Sequence, residues 1–151
     1  MHAIIDVETG GFSKTKNGLC EVAIIVVDHN FKELDSYSSL IKPYFRPESE
    51  ELVSYKPDAM AVNGIKESDL EEAPEAQKVA EDIELLFLQH NVYSIIAHNA
   101  KTMDKPWLEY FLERFGTAFK FNETICTLEI ARSKKLPVAN NKLPTLCTYF
   151  G

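Results

Sequence analysis

Long apolar segments are missing from this sequence. No run reaches the roughly 18 consecutive apolar residues of a membrane-spanning helix. The first six residues, Met1 to Asp6, have neither the basic start nor the long apolar stretch of a secretory signal. These absences predict a chain that stays in the cytoplasm and has no membrane partner.

Cysteine is scarce. Only Cys20, Cys126 and Cys147 occur among the 151 residues, and no two of them form a Cys-x-x-Cys pair. Their odd number and wide spacing argue against a disulfide framework and against a structural zinc site, so we expect three small residues in or near a core. The Gly-x-Ser-x-Gly turn of serine hydrolases and the glycine-rich loop that binds nucleotide phosphates are also missing.

Positive charge is in deficit. The chain has 16 Lys and Arg against 23 Asp and Glu, a net charge of −7, which argues against a protein that coats phosphate backbones with a basic surface. The acidity is concentrated in residues 46–87. We expect this segment to form a solvated face that lies away from any phosphate-binding site.

The hydrophobic pattern predicts one α/β domain. Apolar and β-branched residues predict strands at 3–7, 22–27, 31–41, 93–97 and 124–126, whereas helical spacing predicts helices at 76–90, 106–115, 128–134 and 143–150. The segment 22–27 is continuously apolar, so we expect it to be buried on both faces. Three prolines within 43–57 predict an irregular loop. This order of elements favours a mixed sheet, with an antiparallel hairpin first and parallel crossovers afterwards.

Carboxylates follow two of these strands, where α/β sheets bind ligands. Asp6 and Glu8 are two residues apart on the first strand and therefore share a face. Asp104 follows the strand 93–97 after a polar loop. Hard oxygen ligands of this kind suit Mg²⁺ or Mn²⁺. The alternatives are surface carboxylates at a strand end for the pair, and a helix N-cap for Asp104.

Two segments resemble the motifs of the DEDD (DnaQ-like) 3′–5′ exonucleases, a family that includes the proofreading subunit of bacterial DNA polymerase III. Asp-Val-Glu-Thr-Gly-Gly-Phe at 6–12 resembles the first motif, and His-Asn at 98–99 followed by Asp-Lys-Pro-Trp-Leu-Glu at 104–109 resembles the second. The resemblance continues through Asn-Gly-Ile at 63–65 and through the segments 124–132 and 142–151. It implies a ribonuclease H-like fold, a mixed sheet flanked by helices.

The resemblance also implies a function and a site. It implies hydrolysis of phosphodiester bonds at single-stranded nucleic-acid 3′ ends by a two-metal mechanism with Mg²⁺ or Mn²⁺. We expect DNA rather than RNA as the substrate, and a polymerase or replication protein as a partner. The implied catalytic and metal-binding residues are Asp6, Glu8 and Asp104. The implied substrate-binding residues are Thr9, Gly10, Gly11, Phe12, His98 and Asn99. For Phe12 the alternative is a core aromatic, and for His98 it is a hydrogen-bonded loop histidine. Candidate phosphate contacts, each with a solvated surface position as the alternative, are Lys14, Lys16, Lys101 and Lys105.

One part of the family pattern is missing. The third motif supplies a histidine general base and, five positions later, a fourth acidic ligand, but no histidine of this sequence has an acid five positions later. We therefore expect 1–151 to be a single exonuclease-like domain that lacks its C-terminal helix with the third motif. The alternative function is a catalytically impaired module on the same fold that binds a nucleic-acid end or a protein partner.

Overall fold

A computed structural model describes all of residues 1–151. The strands are β1 (His2–Thr9), β2 (Leu19–Val27), β3 (Glu33–Leu40), β4 (Ser94–Ala97) and β5 (Glu123–Cys126). The helices are α1 (Pro57–Asn63), α2 (Glu67–Glu71), α3 (Ala76–Gln89), α4 (Asp104–Phe115), α5 (Thr127–Lys134) and α6 (Leu143–Phe150). No helix combines the length and the apolar character needed to cross a membrane.

The five strands form one sheet in the order β3-β2-β1-β4-β5. β1 pairs antiparallel with β2, and β2 pairs antiparallel with β3. β1 pairs parallel with β4, and β4 pairs parallel with β5. The prediction of a mixed sheet with its hairpin first is therefore confirmed. The central position of β1 brings the end of the first predicted motif beside the loop that follows β4.

The core lies on one face of this sheet. β1 contributes Ala3, Ile5 and Val7, which alternate with less buried residues. The apolar stripes of α3 and α4 cover this face with side chains that include Ile83 and Leu108, both fully buried. These helices were predicted from their periodicity, and α4 begins two residues earlier than predicted, at Asp104.

The prediction that residues 22–27 are buried on both faces is wrong. Val22, Ile24 and Val26 are buried, but Ala23 is half-buried and Ile25 is 39% exposed on the opposite face. That face forms a shallow apolar hollow, which is also lined by Ile4 of β1 and Leu143 of α6. An apolar run therefore did not distinguish a strand with two covered faces from one with a single covered face.

The cysteines are all free, and they differ in burial. Cys20 and Cys126 are buried, whereas Cys147 on α6 is exposed. The expectation of three cysteines in or near the core therefore fails at Cys147. This thiol lines an apolar hollow between α5 and α6, together with Phe150.

Candidate active site

Asp6 and Glu8 project from the face of β1 that does not carry the core. The core residues Ile5 and Val7 point to the other side, so alternation along the strand puts both carboxylates on one face. In the register with β2, Asp6 lies opposite Ala23 and Glu8 lies opposite Glu21. The two acids therefore lie together at the carboxyl end of the central strand.

Asp104 approaches the same place from the first turn of α4. Its carboxylate Oδ1 accepts a hydrogen bond of 3.1 Å from the backbone N–H of Val7, the residue between Asp6 and Glu8. The parallel ladder between β1 and β4 ends at Ile4, so this N–H binds a side chain instead of a strand. Asp104 makes no capping hydrogen bond to its own helix. The interpretation of this residue as a helix N-cap is therefore wrong.

The electrostatics of the three carboxylates oppose full ionisation. Asp104 is only 4% exposed, and burial, followed by the charges of Asp6 and Glu8, raises its pKa to about 7 despite the Val7 hydrogen bond. Burial also raises the pKa of Asp6 and, together with the charges of Asp6 and Glu21, that of Glu8. A divalent cation relieves this combination of desolvation and like-charge repulsion.

These residues fit a site for Mg²⁺ or Mn²⁺ by their chemistry, because all three donors are carboxylate oxygens. No group of three or more His, Cys, Asp and Glu side chains is already arranged to hold an ion. The structure nevertheless places the three acids near one another, because the charges of Asp6 and Glu8 both raise the pKa of Asp104.

A hollow of about 420 Å³ adjoins Glu8, and we call it the α1 cradle. Its lining residues are Val7, Glu8, Thr9, Gly11, Phe12, Lys56, Asp58, Ala59, Val62 and Met103. Phe12 is 85% exposed and Val62 is 88% exposed. The alternative of a buried Phe12 is therefore wrong. Two uncovered apolar side chains beside a carboxylate cluster suit the face of a nucleobase.

The α1 side of this cradle was not predicted. α1 has seven residues and none of them is buried, so it carries no apolar periodicity. The usable signals were Pro57 in its first turn and Gly64 just after its end. Asn63 fastens α1 to the first motif, because its side-chain N–H donates to the Thr9 carbonyl at 3.3 Å.

The charge on the α1 side of the cradle also differs from expectation. α1 belongs to the acidic segment 46–87, and its Asp58 lines the cradle. The expectation that the whole segment lies away from the site is therefore wrong.

Gly10 and Gly11 are buried against the protein itself. A Cβ at Gly10 would lie 2.6 Å from the Tyr55 ring, and a Cβ at Gly11 would collide with the Asn17 side chain. Internal packing therefore requires both glycines. Gly11 lines the α1 cradle and Gly10 does not, so only Gly11 is placed to contact a nucleotide there.

His98 and Asn99 lie outside the α1 cradle, in a separate depression with Asn141. His98 Nε2 donates to the Asn141 carbonyl at 2.9 Å, and its Nδ1 lies 3.0 Å from the Thr127 hydroxyl. Both ring nitrogens are therefore engaged, as in the hydrogen-bonded loop histidine that the sequence left open. Asn99 has a φ of 70°, a conformation that asparagine tolerates in tight turns. Its carbonyl accepts from the N–H groups of Thr102 and Met103.

Comparison with known proteins supports the fold and the family. A sequence model of the family described as Exonuclease matches residues 3–151. The DNA polymerase III PolC-type of Bacillus cereus is 27% identical over 146 residues, which cover 97% of this chain and 9% of that protein. The chain therefore spans less than a tenth of the length of this curated relative.

Solved structures of E. coli Exonuclease I share the fold. One, in complex with a 5cy-dA13 oligonucleotide, superimposes with a TM-score of 0.78 at 17% identity, over 99% of this chain and 36% of the other. Another, the zinc-ion-bound form of the complex with single-stranded DNA, has a TM-score of 0.69 at 18% identity, over 87% of this chain and 29% of the other. The sheet order, the motifs and the family match agree, and the chain belongs to the Exonuclease family, the DnaQ-like 3′–5′ exonucleases with a ribonuclease H-like fold.

Proposed function

We propose that residues 1–151 form one domain of a metal-dependent exonuclease that shortens DNA from its 3′ end, with Asp6, Glu8 and Asp104 as the ligands of two Mg²⁺ or Mn²⁺ ions. The observation that carries this proposal is the Asp104 carboxylate, buried beside Val7 with its pKa raised to about 7. A fold that keeps a carboxylate there against burial and two neighbouring charges gains most when a cation binds.

Residues around Asp6, Glu8 and Asp104 have different roles in this proposal. Two bound ions supply an activated water and stabilisation of the leaving 3′ oxygen. Val7 N–H orients Asp104, and Asn63 holds α1 beside Thr9. Phe12 and Val62 hold the terminal base in the α1 cradle, which fixes the last phosphodiester near Glu8. His98 and Asn99 shape the loop that leads to Asp104.

DNA is the preferred substrate in this proposal. Support comes from the relatives, since one is named a DNA polymerase and another is described in complex with a 5cy-dA13 oligonucleotide. The PolC-type relative also suggests a polymerase or another replication protein as the partner, a role that would place this chain in the cytoplasm. The α1 cradle supports an unpaired 3′ end, because a base must leave its stack to contact Phe12 and Val62.

The proposal is tested with a 5′-labelled single-stranded DNA oligonucleotide and Mg²⁺. We expect slow formation of products shortened one nucleotide at a time from the 3′ end, because no histidine with an acid five positions later is present to act as the general base, and no products after chelation with EDTA. Asp104→Asn is expected to lower the rate at least 100-fold, whereas Asp69→Asn, an exposed carboxylate on α2, is expected to retain the wild-type rate. Products that shorten from the 5′ end, or an unchanged rate in Asp104→Asn, would contradict the proposal.

A second candidate function follows from one specific observation. None of the four histidines has an acid five positions later, and the one nearest the acids, His98, has both nitrogens engaged. The alternative is a module that binds a nucleic-acid end, or a protein, without cutting. Metal-dependent binding of the oligonucleotide by this chain, with no shortening over hours, would favour the alternative over the exonuclease.

A further inference from the structure

A second hollow, of about 470 Å³, lies along the outer side of α4. Its charged lining residues are four lysines, Lys14, Lys101, Lys105 and Lys120, and two glutamates, Glu109 and Glu113, and Tyr110 also lines it. We call it the lysine groove. The charged lining residues give the groove a net charge of +2, whereas the chain as a whole carries −7, so the groove is a local exception to the charge balance.

The groove and the candidate active site share the first turn of α4, because Lys105 and Pro106 line the groove and Asp104 precedes them in that turn. Lys105 follows Asp104 directly, and Lys101 precedes it by three residues. Tyr110 stands six residues further along α4, which corresponds to about 9 Å of helix axis. Lys14 comes from the loop after Phe12, and Lys120 comes from the segment before β5. The lining residues therefore extend along α4 from the turn that contains Asp104.

The lysines of the groove are available to an added anion. Lys14 has no carboxylate partner, and its Nζ lies 5.5 Å from the centre of the Tyr110 ring. Lys101 pairs with Glu129 at 2.8 Å, and Lys120 lies 3.8 Å from Glu113 and 4.0 Å from the buried Glu109. The pairs with Glu129 and Glu113 are exposed, so they are weak in water and are readily exchanged for a phosphate. Lys105 differs, since Glu109 is its only carboxylate partner.

From this arrangement we propose that the lysine groove binds the phosphates of the substrate strand upstream of its 3′-terminal nucleotide, with Lys14 and Lys120 as contacts. This inference rests on the proposed function, because it takes the 3′ end to lie at Asp6, Glu8 and Asp104. Phosphates are the ligand class that lysines bind as point charges. Tyr110 offers a partly exposed ring on which a base of the same strand can stack. The groove thus gives long strands an affinity that very short ones lack.

The test is the double variant Lys14→Ala/Lys120→Ala, with Lys32→Ala as the matched control. Both groove lysines are exposed, so the fold is expected to persist, and thermal unfolding verifies this. Lys32 is an equally exposed lysine in the β2–β3 turn, at the other end of the sheet. The probes are fluorescent dT12 and dT3, bound in the presence of Ca²⁺ at several NaCl concentrations.

Wild type is expected to bind dT12 more tightly than dT3. In the double variant the affinity for dT12 is expected to fall about tenfold at low salt, with a salt slope shallower by about 1.4, which corresponds to two lost phosphate contacts on a single strand. Lys32→Ala is expected to match wild type. A double variant with the wild-type slope and affinity would overturn the proposed role of the lysine groove and leave the proposed function standing. A wild type that binds neither oligonucleotide would overturn the proposed function.

Discussion

At the scale of single residues, Asp104 is a carboxylate whose ionisation opposes the stability of the fold. Its carboxylate is buried, and Asp6 and Glu8 lie near enough to raise its pKa to about 7 from an ordinary value of 3.8. The folded chain therefore binds this proton more tightly than the unfolded chain does. Without a cation, the stability associated with the bound proton is lost as the pH rises from about 4 to about 7.

Asp104→Asn should remove this dependence. The amide is uncharged at every pH, so the variant is expected to resemble wild type near pH 4 and to exceed it in free energy of unfolding by about 2–4 kcal/mol at pH 8. Chemical denaturation in EDTA at pH 4 to 8 measures the difference. Asp69→Asn controls for the loss of one carboxylate from the surface. A difference between Asp104→Asn and wild type that does not change with pH would disprove the proposed origin of the effect.

Among the elements, the helices with the strongest apolar periodicity were predicted correctly, whereas the shortest helices were missed. α3 was predicted from apolar residues such as Val79 and Ile83 at helical spacing, because a helix that covers a sheet must bury one face. α1 has seven residues and α2 has five, and Leu70 is the one buried residue between them. The sequence therefore contained no apolar stripe from which these two helices could be predicted. The side of the α1 cradle that α1 itself forms therefore could not be predicted from periodicity.

In the candidate site, too, some features could be predicted from the sequence and others could not. That Asp6 and Glu8 share a face followed from the two-residue period of a strand, and that Asp104 lies near them followed from the order of elements. The hydrogen bond between Asp104 and Val7 could not be predicted, because it depends on β4 pairing with β1 only as far as Ile4. The engagement of His98 by Asn141 depends on a contact 43 residues away in sequence.

Substitutions in the α1 cradle are expected to change the affinity for an oligonucleotide without changing the free energy of unfolding. Phe12→Ala and Val62→Ala remove side chains that are 85% and 88% exposed, so the free energy of unfolding is expected to stay within about 0.5 kcal/mol of wild type. Phe12→Ala should weaken oligonucleotide binding about 5- to 100-fold, since stacking on one aromatic side chain contributes about 1–3 kcal/mol, and Val62→Ala should weaken it less, because valine offers only an apolar contact. Fluorescence anisotropy measures the binding.

Leu88→Ala provides the matched control for these two variants, because Leu88 is a 76% exposed apolar residue on α3. It should bind the oligonucleotide as wild type does. If all three variants bound alike, the α1 cradle would not be the site of the terminal base.

Glu109 joins α4 to the segment before β5. It is 8% exposed, its Oε1 accepts from the Phe121 N–H at 2.9 Å, and its Oε2 accepts from Lys105 at 3.1 Å. Glu109→Ala leaves the buried N–H of Phe121 without an acceptor and is expected to lower the free energy of unfolding by about 1–3 kcal/mol. Glu109→Gln keeps an acceptor and should lose less. Urea denaturation compares the two, and equal losses would show that the hydrogen bond to Phe121 does not contribute.

For the whole molecule, the distribution of charge is compatible with the proposed action on a polyanion. Its net charge is −7, yet the lysine groove beside α4 has four lysines and two glutamates, and the proposed cation would neutralise the carboxylates of the candidate site. Binding of the cation and of the nucleic acid are therefore expected to support one another. Both depend on the proposal that Asp6, Glu8 and Asp104 bind the divalent cations.

Calorimetric titration with Mn²⁺ at pH 7.5 tests this claim most directly, because it requires neither substrate nor turnover. Wild type is expected to bind Mn²⁺ and to release protons as it does so, since Asp104 is partly protonated near neutral pH. Asp6→Ala should abolish the binding while the far-UV circular dichroism stays that of the folded chain, and Asp69→Asn should bind as wild type does. Unaltered Mn²⁺ affinity in Asp6→Ala would contradict the account.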